Sequence, residues 1–122
     1  MTPNAFRAAA ASLPAVLQVC VLETEVFKVR GRAFATLNWP EPGWAVVKLR
    51  AADQIRLIAQ SRALAREPGP RGKRGVTVVQ LKALDEADAG EVLAAAWGLA
   101  YGGARASAEA VLSAVSAAME AR

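Results

Sequence analysis

EVFKVRGRAFATLNW, residues 25–39, decides the fold. Two apolar, β-prone stretches flank Arg30-Gly31, and the glycine supplies the positive φ that a tight turn requires. The stretch therefore predicts a β-hairpin. A two-residue loop at Arg30-Gly31 would pair Phe27 with Phe34 across the strands. It would leave Arg30 and Arg32 at the tip. Another loop length would shift that register.

Working outward, Pro40-Glu41-Pro42-Gly43 is a second turn, and Trp44 to Leu49 reads as a third strand. Asp53 is placed to cap a short helix through Ile55, Ile58 and Ala59 that ends near Leu64. Residues 66–75, REPGPRGKRG, hold two prolines and three glycines, so regular structure is not expected there. Val76 to Leu81 follows as a strand. On the N-terminal side, Thr2-Pro3 opens a helix that Pro14 stops. Residues 15–22 are apolar and partly β-branched, and suit either a strand or an extended lead-in.

After Asp85 the period becomes helical. Leu93, Ala96, Trp97, Ala100 and Tyr101 fall on one stripe, which predicts a buried helix face. Gly102-Gly103 breaks it. Ser107 then caps a last helix with Ala108, Val111, Leu112, Val115, Ala118 and Met119 on one side. That stripe suits packing on the chain's own sheet or on a partner's, and the second case would make a homodimer or an adaptor. The predicted order is helix, three strands, helix, strand, helix, helix. It implies a single α+β domain over residues 1–122, a two-layer antiparallel sheet of four to five strands covered by helices.

Charge is segregated along the chain. Lys28 to Lys82 carries twelve Lys/Arg against three acids, while the first twenty-seven residues carry −1 and the last forty −4. The whole chain has a net charge of +4. Such segregation builds a directional field that attracts polyanions. Two turn-like elements concentrate the cations: the tip Arg30-Gly31-Arg32 and the loop Arg71-Gly72-Lys73-Arg74, with Lys48, Arg50 and Lys82 extending the set. Arginine forks onto phosphate oxygens, and adjacent glycines let backbone N–H groups approach them. If both elements share one side of the sheet, they form two basic wings on a DNA backbone. The competing reading is a solvated surface. Trp39 and Trp44 flank the second turn and do not interleave with the cations.

Enzyme chemistry finds little support. The chain has no histidine, and so lacks the commonest general base and metal ligand. Ser61, Ser107, Ser113 and Ser116 have nothing to activate them. Cys20 is the single cysteine, which excludes an intramolecular disulfide and a cysteine zinc site. Its Val-Cys-Val setting reads as a buried small hydrophobe. Asp85, Glu86, Asp88 and Glu91 read as helix N-terminal acids. Gly69-x-x-Gly72-x-x-Gly75 lacks the ending of a phosphate-binding loop. No metal or cofactor is implied. The apolar run 8–22 lacks a cleavage site and is too short to span a membrane, so a cytoplasmic location is the expectation.

The hairpin Phe27-Lys28-Val29-Arg30-Gly31-Arg32-Ala33-Phe34-Ala35 resembles the F-x-V-x-G-[KR]-x-F-A pattern of the MmcQ/YjbR family. Leu13-Pro14, Val47-Lys48-Leu49, Asp53 and Trp97 fit the same pattern, over roughly residues 10–101. The resemblance implies a two-layer α+β domain and DNA binding, with no catalytic residues to carry over. Two features depart from it. The aromatic often found at the start of the late strand is absent at Lys73-Arg74-Gly75-Val76, and residues 104–122 extend past the pattern as a C-terminal helix.

Overall fold

Strands β2 (Thr24–Val29) and β3 (Arg32–Leu37) form the expected hairpin in the computed structural model, which describes residues 1–102. Arg30 and Gly31 both take positive φ, +53° and +78°, the signature of a two-residue type I′ turn. The turn pairs Val29 with Arg32 and Lys28 with Ala33. A bulge then intervenes, so Phe27 faces Ala35 and not Phe34. The extra residue lets both Phe34 and Ala35 enter the core, which strict alternation forbids. The expected Phe27–Phe34 cross-strand pair is thus replaced by two separately buried rings.

The sheet has six strands, all antiparallel, in the order β1-β2-β3-β4-β6-β5. The added members are β1 (Val16–Val21), β4 (Trp44–Lys48), β5 (Leu64–Arg66) and β6 (Val76–Gln80). The α+β reading holds, with more strands than the four to five expected. Residues 16–21 resolve as a full strand because each pairs with β2. Strand β5 starts at Leu64, where the predicted helix ends, and reaches Arg66, the first residue of the stretch expected to be irregular. It is only three residues long, too short to show a period of its own.

Helices α1 (Pro3–Ala11), α2 (Ala51–Gln60) and α4 (Glu86–Gly102) cover one face. Thr2 caps α1 as expected, its Oγ1 accepting from the Ala5 N–H at 3.1 Å. Asp85 caps α4 through the Asp88 N–H at 2.8 Å. Asp53 is not a cap: α2 starts earlier, with Arg50 at the cap position and Asp53 in the first turn. The basic segment also departs from expectation, since Pro70–Lys73 forms a short helix, α3. The last predicted helix, over 104–122, lies outside the described residues.

One core joins these layers. Phe6 and Ala10 of α1, Leu57 of α2, and Ala89, Val92, Leu93, Ala96, Trp97 and Ala100 of α4 meet Phe27, Phe34, Leu37, Val47 and Val79 of the sheet. Fully burying each large side chain contributes roughly 1.5–3 kcal/mol. The Trp97 Nε1–H donates to the Pro14 carbonyl at 3.0 Å, tying α4 to the α1–β1 junction. On the face away from the helices, Leu17 and Val21 on the edge strand β1 are open, 62% and 52% exposed, while Val46 nearer the sheet's centre is buried. Cys20 is exposed, contrary to the buried setting expected, because β1 is an edge strand. No helix among the described residues is long and apolar enough to cross a membrane.

Arg7 on α1 grips Glu25 on β2, its Nε donating to both carboxylate oxygens at 2.7 and 2.8 Å. Gln18 on β1 adds a third hydrogen bond at 2.6 Å. The hydrogen bonds from Arg7 hold the Glu25 carboxyl below its ordinary range, against partial burial, which pushes the other way. A depressed carboxylate stabilises the fold above its unfolded pKa of about 4.3 and loses that contribution as pH falls through the folded value. Glu25→Gln should therefore be less stable than wild type at pH 7, with the gap closing below about pH 4. Urea denaturation across pH 3–7 measures this, and a gap that stays constant with pH would refute the assignment.

Candidate nucleic-acid interface

Strand polarity settles where the cations go. The β2–β3 turn puts Arg30 and Arg32 at one end of the sheet. Strand β4 runs back toward that end, since Leu37 pairs with Ala45 and Ala35 with Val47. Lys48 therefore finishes near Arg32, and Arg50 follows it. Strand β6 starts there too, because Val76 pairs with Lys48, so Arg71, Lys73 and Arg74 immediately precede that end. Seven of the eight predicted residues share one end of the sheet. Lys82 does not: it follows Gln80, which pairs with Trp44 at the opposite end. Lys28, opposite Ala33, and Arg66, opposite Thr77, join the cationic end although the sequence reading left them out.

Most acids among the described residues collect at the other end. Glu23 lies in the β1–β2 turn, Glu41 in the β3–β4 turn, and Asp85, Glu86 and Asp88 at the start of α4. A segregation along the chain has become a segregation across the molecule. Asp53 and Glu67 lie apart from them, and both pair locally: Asp53 with Arg56 at 3.3 Å and Glu67 with Arg71 at 3.2 Å. Trp39 and Trp44 belong to the acidic end. Trp39 is exposed and Trp44 half-buried, so neither is a core residue.

The seven cations differ in what holds them. Arg30 is engaged: its Nη1 donates to the Tyr101 carbonyl at 3.0 Å, and its guanidinium lies 5.0 Å from the Tyr101 ring centroid. Tyr101 in turn stacks on Trp97, with centroids 4.8 Å apart. The stripe logic placed Tyr101 in the core, but it is 43% exposed and forms the middle layer of this stack. A cation at a helix C-terminus is also favourable for the helix dipole. Arg50 is half-buried beside α2, and Arg71 is tied to Glu67. Arg32, Lys48, Lys73 and Arg74 are exposed, with no ion-pair partner among the described residues.

The basic loop is anchored. Gln54 of α2 is 1% exposed, and its Nε2 lies within hydrogen-bond distance of the Gly72 carbonyl (3.0 Å), the Val76 carbonyl (3.3 Å) and Thr77 Oγ1 (3.1 Å). Thr77 Oγ1 donates onward to the Gly75 carbonyl at 3.1 Å. Two glycines make the close approach possible. A Cβ on Gly72 would stand 1.8 Å from the Glu67 carbonyl oxygen, and one on Gly75 would stand 1.9 Å from that of Leu49. Gly75 also has φ +105°. Gln54 carries no functional signal in the sequence, since a glutamine on a short amphipathic helix reads as surface.

Two hollows open between these cations. A cleft of about 390 Å³ is lined by Arg32, Ala33, Lys48, Ala96, Leu99 and Ala100. A smaller groove of about 140 Å³ shares Ala33 and Lys48 and reaches Arg71 and Val76. No group of three or more His, Cys, Asp or Glu among the described residues is placed to hold a metal.

The fold and site define an α+β module with one cationic end. A solved structure similar to it is that of the Deinococcus radiodurans protein DR2400, assigned to the domain family DUF419. The two share 24% identity over 80% of this chain and 77% of that one, with a TM-score of 0.63. That likeness shows the fold. No family model matches the chain, and no curated protein does.

The anchoring has measurable consequences. Gln54→Leu, which removes the donors and keeps the volume, should cost about 2 kcal/mol or more in urea denaturation. Gly75→Ala should cost about 3 kcal/mol or more, against about 1–2 kcal/mol for Gly31→Ala, where a Cβ meets open space. Equal losses at the two glycines would show that the loop does not need its close contact with Leu49.

Proposed function

We propose that this is a non-enzymatic, cytoplasmic protein of the MmcQ/YjbR type that binds nucleic acid through the cationic end of its sheet. The motif at Phe27 to Ala35 and the two-layer fold support the family assignment. One observation carries the binding reading: antiparallel pairing gathers the hairpin tip, Lys48 and the anchored basic loop at one end and leaves most acids at the other. A fixed array of cations binds phosphates without first being ordered, which lowers the entropic cost. Arg32, Lys48, Lys73 and Arg74 are the contact residues, while Arg30 and Arg71 hold the array together. Such contacts position a backbone and carry no sequence code.

A second reading, a homodimer or adaptor, is favoured by the uncovered face of the sheet, where Leu17 and Val21 stand open on an edge strand. Sedimentation across a wide concentration range tests it, and a monomer throughout would count against the dimer.

For the nucleic-acid reading, a duplex-DNA titration at several salt concentrations is decisive. Four phosphate contacts give a log–log salt slope of about −3 to −4. Reversing Arg32, Lys48, Lys73 and Arg74 to Glu should abolish binding, while reversing Lys82 should leave it unchanged. Salt-independent affinity, or binding that survives the fourfold reversal, would sink the proposal.

A further inference from the structure

The cleft between α4 and the β3–β4 end has two unlike walls. Half-buried Leu99, flanked by Ala96 and Ala100 that are themselves packed into the core, makes an apolar wall from the last turns of α4. Arg32 and Lys48 stand on the sheet side, both exposed and neither meeting an acid among the described residues. At about 390 Å³ the cleft falls within the size range of small-molecule sites. Two unit charges at one mouth match a dianion, and a guanidinium beside an ammonium suits phosphate oxygens. A carboxylate would leave one charge unbalanced. Inorganic phosphate alone would leave the apolar wall wet.

We infer that this cleft binds a phosphate monoester carrying a compact body with one apolar face, with the phosphate on Arg32 and Lys48 and that face against Leu99. A nucleotide offers this through its phosphate and the flat face of its base, either free or as the 5′-phosphorylated terminus of a single strand. The inference rests on the cationic end argued above and deepens that reading: besides a surface that lies along a backbone, the end has a pocket for one nucleotide. The negative end of the α4 dipole opposes an anion here. Arg30 already donates to the Tyr101 carbonyl at that terminus, so the opposing partial charge is met by a cation outside the cleft.

The test is calorimetric titration of the full chain with adenosine 5′-monophosphate, adenosine and inorganic phosphate. The monophosphate should bind at least about tenfold more tightly than either fragment, the size of effect of one charge-assisted contact. Lys48→Ala should weaken it about tenfold. Leu99→Trp, which fills the cleft from a half-buried position, should abolish it while duplex affinity and salt slope stay unchanged. Lys73→Glu with Arg74→Glu should do the reverse, lowering duplex affinity and sparing the monophosphate. A single-stranded oligonucleotide with and without its 5′-phosphate separates the two sources. Preference for the phosphorylated strand assigns the cleft to strand ends, and indifference with tight monophosphate binding assigns it to free nucleotide. No saturable monophosphate binding at millimolar concentration, or wild-type binding by both Lys48→Ala and Leu99→Trp, overturns the inference. Duplex binding that fails while the monophosphate still binds removes the surface reading and leaves the cleft.

Discussion

Strand β4 is hydrogen-bonded antiparallel to β3 on one side and to β6 on the other, and the charged architecture follows from that pairing. Because β3 leaves the hairpin tip and β4 returns toward it, Lys48 must end near Arg32. Because β6 departs from beside Lys48, whatever precedes Val76 must lie at the same end. The register leaves no freedom in this. A one-residue slip would turn Val47 and Val79 out of the core and point Lys48 and Val78 into it, a loss of several buried side chains and the burial of a charge. Hydrophobic burial therefore holds the cations together indirectly, although none of them contributes to the core.

Mutual repulsion among so many cations opposes that arrangement, and the structure answers it in three places. Arg30 is drawn onto the Tyr101 ring and its carbonyl, Arg71 onto Glu67, and Arg56 is shared between Asp53 and Glu91 at 3.3 Å each. Each such contact is exposed and individually weak. Their effect is positional. They engage Arg30, Arg56 and Arg71 and leave Arg32, Lys48, Lys73 and Arg74 facing solvent. Beneath the loop, Gln54 meets the carbonyls of Gly72 and Val76 and the Thr77 hydroxyl, a buried network whose loss would free the loop from α2.

The hairpin, the third strand, the cap at Thr2, the acids at the start of α4 and the helices α1, α2 and α4 were legible from local patterns, since turns, caps and periods are set by near neighbours. The same locality explains the errors. The β2–β3 bulge depends on α4 rewarding the burial of both Phe34 and Ala35, which no pattern within the hairpin records. Strand β5 exists because β6 lies beside it, and three residues cannot announce themselves. Cys20 looked buried by its valine neighbours, yet its strand has a neighbour on one side only.

Composition and order alone established an α+β chain without histidine, with its cations in the middle of the sequence and two turn-like clusters among them. Those properties are sums and short-range patterns, which need no coordinates. Whether Arg32 and Arg74 share an end of the sheet, whether Lys82 belongs with them, and that Leu99 lines a cleft with Arg32 and Lys48 were decided by the tertiary structure. Each is a relation between residues far apart in the chain, and strand polarity and sheet register bring such residues together or hold them apart.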